Sequence, residues 1–288
     1  MSTRLAAPPT AATPSGLLGD TAERDYARKL RFFNAFAAPE LSEAIATLEL
    51  RDGMSLLDVG CGTGETLLRL RDAAGPGAEV IGIDLSAAHV QAARETVADS
   101  ITVLQGDVMT VPLPPASFDL IWSANTLNHL RDPVAALRHL TGLLRNGGRI
   151  AIGQSALLPE LYFAWDSRLE RLAGEAVRRY YEDRYDLGEH DLDGARNLLG
   201  WMHRAALRKL AVRTFLIERT APLARADREY LLEAIFKGTW GERLRPYLAS
   251  ADYEALQRLS APDSPDFALL RPDFHFIQTF TLMVGEKP

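Results

Sequence analysis

Three glycines and three carboxylates in the middle of the chain define the chemistry this sequence can support. Gly60, Gly62 and Gly64 form a Gly-x-Gly-x-Gly loop between an apolar run and a helical stretch. Residues without a Cβ at such a crossover let a ligand lie against the backbone. Asp58 stands at the mouth of that loop, Asp84 ends the next apolar run, and Asp107 ends the one after it. An acid at the second of these positions can accept hydrogen bonds from both hydroxyls of a ribose. An acid at the third, or its neighbouring amide, can meet an adenine edge. Acids at three successive strand ends suit a ligand with a ribose diol, an ammonium and a sulfonium. They suit a pyrophosphate less well, since it needs amide donors and cations. Taken singly, each acid is as readily a helix cap or a turn residue, and the glycines alone mean no more than a tight turn. Cys61, inside the loop, has no evident histidine partner and reads as packing rather than as a nucleophile.

A second group of residues could serve an acceptor or move a proton. His129 follows the fourth apolar run; a packed histidine bonded to backbone is its plainer role. Tyr180, Tyr181, Glu182 and Asp186 lie in a helical stretch, with His190 and His203 in or near the next one. Any of these could act as a general base, and each is weak alone. Arg178 and Arg179 lead a cluster with Arg168, Arg171 and Arg184. Interleaved Glu170, Glu175, Glu182 and Asp183 make a solvated, ion-paired helix face the ordinary explanation. The alternative is a pocket for a carboxylate or diphosphate. Trp201, with Tyr162, Phe163, Trp165 and Trp240, could line an apolar acceptor cavity or simply pack a core.

The elements that must position these residues alternate strand and helix. Strands are expected at 54–59, 79–83, 101–105, 118–123 and 149–153, with helices at 65–74, 87–98 and 134–144 between them. Ser86 and Asp132-Pro133 are helix-start signals. The runs are apolar throughout, as buried parallel strands are. Two helices precede the first strand, separated at Pro39, the second over 40–50. Beyond 154 the rhythm breaks into a helical lid, a sixth strand over 210–217, a helical insert over 226–259 broken at 238–241, and a seventh strand over 274–284. The fold class is therefore α/β: a Rossmann-like, seven-stranded, mostly parallel sheet with helices on both faces and an α-helical lid. The chain divides into a disordered tail (1–19), amino-terminal helices (20–53), a core (54–155), a lid (156–209) and carboxy-terminal strands with an insert (210–288).

In this setting Leu56-Leu57-Asp58-Val59-Gly60-Cys61-Gly62-Thr63-Gly64 resembles the first motif of class I S-adenosylmethionine-dependent methyltransferases. Ile81 to Ser86 is similar to their ribose motif and Gly106-Asp107-Val108 to their adenine motif. The stretches 117–123 and 143–148 resemble their fourth- and fifth-strand segments. The closest likeness is to the ubiquinone/menaquinone-biosynthesis-like group, which covers many substrates. The resemblance implies S-adenosylmethionine as cofactor and S-adenosylhomocysteine as product. It carries Asp58, Gly60, Gly62 and Gly64 to the methionine half, Asp84 and Leu85 to the ribose, and Asp107 and Val108 to the adenine. Ser123 and Asn125 would face cofactor and acceptor. Before the sixth strand, where many relatives have Gly-Phe, this chain has Ala206-Leu207-Arg208-Lys209, a departure expected to alter the turn and not the reaction.

The totals bound the rest. A net charge of −6 and a pI near 5.6 argue against a nucleic-acid phosphate track. One cysteine excludes an internal disulfide and a four-cysteine zinc site, no metal is expected, and a reducing cytoplasm fits. Pro8, Pro9 and Pro14 interrupt the first segment, so no secretory signal or membrane insertion is expected. The implied partner is a small-molecule substrate; a homodimer is compatible. The expected function is methyl transfer to oxygen or carbon of an acceptor from secondary or quinone-type metabolism. The alternative is a cyclisation or rearrangement that uses the cofactor as scaffold.

Overall fold

The run Ser55–Val59 has no polar side chain except Asp58 in its buried portion, and it forms the first strand, β1, in the middle of the sheet. The structure, a computed structural model, describes residues 27–155, 166–185 and 194–288. The further strands are β2 (Glu79–Asp84), β3 (Thr102–Gln105), β4 (Phe118–Ala124), β5 (Leu144–Ser155), β6 (Arg208–Thr220) and β7 (His275–Glu286). They make one seven-stranded sheet in the order β3-β2-β1-β4-β5-β7-β6. β1 to β5 are parallel, and β7 runs antiparallel between β5 and β6. The chain winds outward from β1 to β3, then returns to place β4 on the other side of β1. That reversal leaves a crevice beyond the carboxyl ends of β1 and β4, where open α/β sheets bind ligands.

Alternation along the strands divides the interior into two layers. Leu56, Leu120, Trp122, Ala151, Phe280 and Leu282 point to one face. There they meet the helices α2 (Ala38–Ala46), α3 (Glu65–Ala74), α4 (Ala87–Val97) and α6 (Ser167–Tyr185), and Phe36 of α1 (Ala27–Phe36). Leu57, Ile121, Ile150, Ile152 and Met283 point the other way, onto α5 (Pro133–Leu143) and α7 (Gly194–Arg204). Truncating a fully buried leucine such as Leu56 or Leu57 in layers this dense costs about 2–5 kcal/mol.

Both predicted caps form. The Ser86 hydroxyl accepts from the His89 amide at 3.4 Å, and Asp132 accepts from the Ala135 amide at 2.8 Å. Pro39, expected to separate two helices, sits in the first turn of α2, where a missing N–H costs nothing. β5 is longer than expected, because it already meets Phe118 at Leu144 before a bulge carries the chain on to Arg149. The insert after β6 opens with α8 (Arg225–Tyr230) and continues as a π-helical segment, Leu231–Thr239. A short 3₁₀ turn, Glu242–Tyr247, and α9 (Ser250–Ser260) complete it. The Trp240 amide donates to the Ile235 carbonyl at 2.8 Å, five residues back, which is the π register. Ahead of β6, α7 closes with the Leu207 amide on the Met202 carbonyl and the Ala206 amide on the His203 carbonyl. Ala206 takes φ +63°, the left-handed conformation that glycine adopts more readily.

Candidate active site

The glycine loop leaves β1 and turns into α3 with φ of +75° at Gly60 and +89° at Gly64. A Cβ on Gly60 would strike the Thr126 hydroxyl, and one on Gly64 would lie 3.0 Å from Ala93 Cα. The loop is fastened to β2 by three long-range bonds, one of them from the Cys61 amide to the Ile83 carbonyl at 3.1 Å. The Gly60 amide donates to the Ile83 carbonyl at 2.8 Å, and the Gly62 amide donates to Asp84 Oδ2 at 2.9 Å. Asp84 Oδ1 accepts from the Ser86 amide at 2.9 Å and lies 3.4 Å from His89 Nδ1. Asp84 therefore shapes the loop besides ending β2. Leu30 of α1 leans over the loop, 3.1 Å from where a Gly62 Cβ would be.

Asp58 is different. It is 2% exposed, and its Oδ2 is buried with no hydrogen-bond partner among the described residues. Burial, and secondarily the nearby Asp84 charge, pushes its carboxyl well above the ordinary carboxylate value. Burial likewise pushes the Cys61 thiol up, which keeps it protonated and inert. Asp107 uses Oδ1 to accept from the Met109 amide at 2.9 Å, so it orders its own turn at the end of β3. Val108 beside it is buried, and its carbonyl is 3.0 Å from His139 Nε2. Leu85 is half-buried next to Asp84. An orphaned carboxylate beside a loop with no room for side chains is what a cation-bearing, adenosine-type ligand needs from its site.

Past β4 the structure alters two expectations. Ser123 is fully buried and its hydroxyl donates to the Val59 carbonyl at 2.8 Å, so it braces the glycine loop from beneath instead of facing a ligand. Asn125, at φ +54°, accepts at Oδ1 from the Ser155 amide at 2.8 Å and from Gln154 Nε2 at 3.1 Å. Its amide thus knots the ends of β4 and β5. Thr126, Gln154, Ser155 and His89 escaped the sequence reading; polar residues closing apolar strands were the signal available. His129 lies in the turn Leu127–His129. Burial lowers its imidazole to about 4, so it is neutral at physiological pH.

The proposed acceptor residues do not form one cluster. Tyr180 and Tyr181 of α6 pack against the layer of Leu56, while Trp201 of α7 packs against the layer of Leu57, across the sheet. His203 is exposed at the end of α7. The cause is parity: α6 and α7 each bury an apolar stripe, but on opposite faces. Arg178 pairs with Glu182 at 3.1 Å, the ordinary helix-face arrangement, and Arg168 pairs with Asp252 at 2.7 Å. Arg179 instead lies over the Tyr247 ring at 5.8 Å, and Arg243 over Tyr180 at 4.9 Å and Tyr181 at 5.9 Å. Arg243 was not a sequence candidate. His190, Asp186, Tyr162, Phe163 and Trp165 lie outside the described residues. No group of three or more metal-ligating side chains occurs among the described residues.

Residues 57–152, which hold the glycine loop and all three strand-end acids, match the methyltransferase domain family. They form a methyltransferase domain. Over 129 residues the chain is 36% identical to the 27-O-demethylrifamycin SV methyltransferase of Amycolatopsis mediterranei, covering 43% of this chain and 47% of that protein. The chain thus spans about half the length of that relative. It is 27% identical over 184 residues to the demethylmenaquinone methyltransferase of Shouchella clausii, covering 60% of this chain and 78% of that one. The fold around the methyltransferase domain is shared with the cyclase SpnF, with a TM-score of 0.53 at 17% identity over 95% of this chain and 99% of that one.

Proposed function

We propose that this chain transfers the methyl group of S-adenosylmethionine to a small-molecule acceptor and releases S-adenosylhomocysteine. The observation that carries the proposal is Asp58, a buried carboxylate with an unpartnered oxygen beside the glycine loop. An unpaired buried charge is expensive unless a ligand supplies the missing donor, and the ammonium of a bound amino-acid moiety is such a donor. Asp84, after accepting from Gly62 and Ser86, keeps lone pairs for a ribose diol. Val108 and Leu85 offer apolar surface to an adenine. The bound cofactor supplies an electrophilic methyl group on a sulfonium that is already a good leaving group. The chain's own residues bind, orient and exclude water, and orientation is the main source of rate in an in-line displacement. His129, held neutral, can take a proton from an oxygen or carbon acceptor, although so low a pKa makes it a weak base.

Oxygen as the methylated atom is supported by the name of the rifamycin-modifying relative, and a quinone-type acceptor by that of the demethylmenaquinone relative. An anionic acceptor is supported by Arg179 and Arg243, which stack on tyrosines and have no carboxylate partner among the described residues. The chain's acidic balance fits a small acceptor better than a nucleic acid, and no described helix is long and apolar enough to cross a membrane. The deciding experiment incubates the protein with methyl-labelled cofactor and a panel of phenols, hydroxylated macrocycles and quinols. Label in the acceptor with release of S-adenosylhomocysteine supports the proposal. An isomerised acceptor with intact cofactor assigns the cyclase reaction instead. Failure of calorimetry to detect cofactor binding overturns both.

A further inference from the structure

The outer edge of the sheet carries a feature that the methyl-transfer proposal does not use. β6 ends the strand order, so its outer side has no strand neighbour among the described residues. The strand is long, Arg208–Thr220, and from Ala211 to Thr220 it pairs with β7 without irregularity. Phe215 and Ile217 point into the layer of Leu56. Val212, Thr214 and Leu216 point the opposite way, and Val212 and Leu216 are 50% and 51% exposed. They are two of the four large exposed hydrophobic residues among those described. A long, regular edge with exposed aliphatic side chains invites pairing with another strand.

We propose that β6 pairs antiparallel with β6 of a second copy of this chain, about a two-fold axis through Thr214, so that two seven-stranded sheets run on as one. The occupant follows from self-complementarity. A two-fold normal to the sheet pairs residues of the same face, so the numbers of opposed residues sum to an even value. With the axis at Thr214, Val212 opposes Leu216 of the second copy and Ala211 opposes its Ile217. Arg213 opposes Phe215 of the second copy, a ring type it already covers within its own chain at 4.9 Å. Arg213 is neutralised by Glu43 at 2.9 Å, so two ion pairs flank the axis without like charges left facing each other. Moving the axis one residue in either direction breaks the match. At Phe215, Val212 would oppose Glu218 of the second copy. At Arg213, the two guanidiniums would face each other. The irregularity between Arg208 and Ala211, with Lys209 at φ +49°, bends the strand away and confines pairing to the stretch from Ala211 to Ile217.

The test uses the full chain. Light scattering on the wild type should give the mass of two chains, and the double variant Val212→Lys, Leu216→Lys the mass of one, with cofactor affinity by calorimetry unchanged as the sign of an intact fold. Thr214→Cys provides the register. Paired residues on the axis bring their Cα atoms within disulfide range. With oxidised glutathione this variant should therefore form a covalent dimer. Glu218→Cys should not, because its two copies would be about 25 Å apart along the strands. The one native cysteine, Cys61, is 5% exposed and does not interfere. A single-chain mass for the wild type at micromolar concentration overturns the proposal. So does a dimer that survives the lysine pair, or cross-linking at position 218 in place of 214. None of these outcomes depends on methyl transfer.

Discussion

Asp58 and Arg219 are both charged groups held inside the protein at the carboxyl edge of the sheet, and the chain treats them in opposite ways. Every nitrogen of the Arg219 guanidinium is satisfied. Glu40 takes two bonds at 2.7 and 3.0 Å, Asp227 takes the third nitrogen at 2.9 Å, and the Phe36 carbonyl accepts at 2.6 Å. The Phe36 ring lies beneath it at 4.8 Å and stacks in turn on Tyr230. The group joins β6 to α2 and to the insert after β6, and needs nothing from outside. Asp58 has an unpartnered oxygen and a raised pKa. The difference separates what the fold completes for itself from what it leaves for a ligand. A buried charge with full coordination is architecture, and one without it is a site in waiting.

The sharpest way to break this contrast is Arg219→Ala. Removing one partner of a buried network strands the others, so urea unfolding should show a loss of about 3 kcal/mol or more. Cofactor affinity, referred to the folded fraction, should change little. A loss of less than about 1 kcal/mol would show that the network is only decorative.

Asp58→Asn should do the reverse. Calorimetry should show cofactor binding about ten- to a hundredfold weaker, matching the roughly 1.5–3 kcal/mol of a hydrogen bond to a charged group, while the ligand-free protein is no less stable. Asp84→Ala should weaken binding by a similar factor, through the ribose hydroxyls and through the freed Gly62 amide. Unchanged affinity in either variant would remove that residue from the site.

Asp58 and His129, whose pKa values are shifted in opposite directions, give a pH signature. The Asp58 carboxyl is raised in the folded state, so the stability it contributes is complete below the ordinary value of 3.8 and is lost as pH climbs through the raised one. The thermal stability of ligand-free Asp58→Asn relative to wild type should therefore improve with rising pH. His129 has the opposite sign. Its pKa is lowered from 6.5 to about 4, so its contribution is complete above 6.5 and is lost as pH falls toward 4. Its residue is partly exposed, so the slope should not exceed about 1 kcal/mol per pH unit. His129→Gln should flatten the melting-temperature profile across that window; an unchanged profile would mean the ring is solvated.

The smallest expected effect is a gain. Ala206→Gly relieves a left-handed alanine and should add about 1 kcal/mol in urea unfolding, with turnover unchanged. A loss would mean that the alanine methyl packs productively.

Where the sequence was readable, the signal was local. β1 to β4, the glycine loop, the three strand-end acids and the caps at Ser86 and Asp132 all follow from short-range pattern and residue chemistry. What escaped is long-range or depends on facing. Arg219 and Glu40 lie 179 positions apart, and no spacing rule connects them. Thr126 over Gly60 becomes visible only when β4 is laid beside β1. The apolar stripes of α6 and α7 predict burial but not which face of the sheet receives them, so their acceptor candidates were read as one lid. The π-helical stretch Leu231–Thr239 carries the same apolar periodicity as an ordinary helix, and its register shows only in bonds such as that from the Trp240 amide to the Ile235 carbonyl.

The division of the interior into two layers has a consequence for engineering. Leu198 and Met202 of α7 share no layer with Leu41 and Ile45 of α2, because a fully hydrogen-bonded sheet stands between them. Changes at well-separated positions without shared partners combine additively. A library that reshapes one layer can therefore be merged with a library built on the other without a second round of repair, and the losses each can tolerate are set independently.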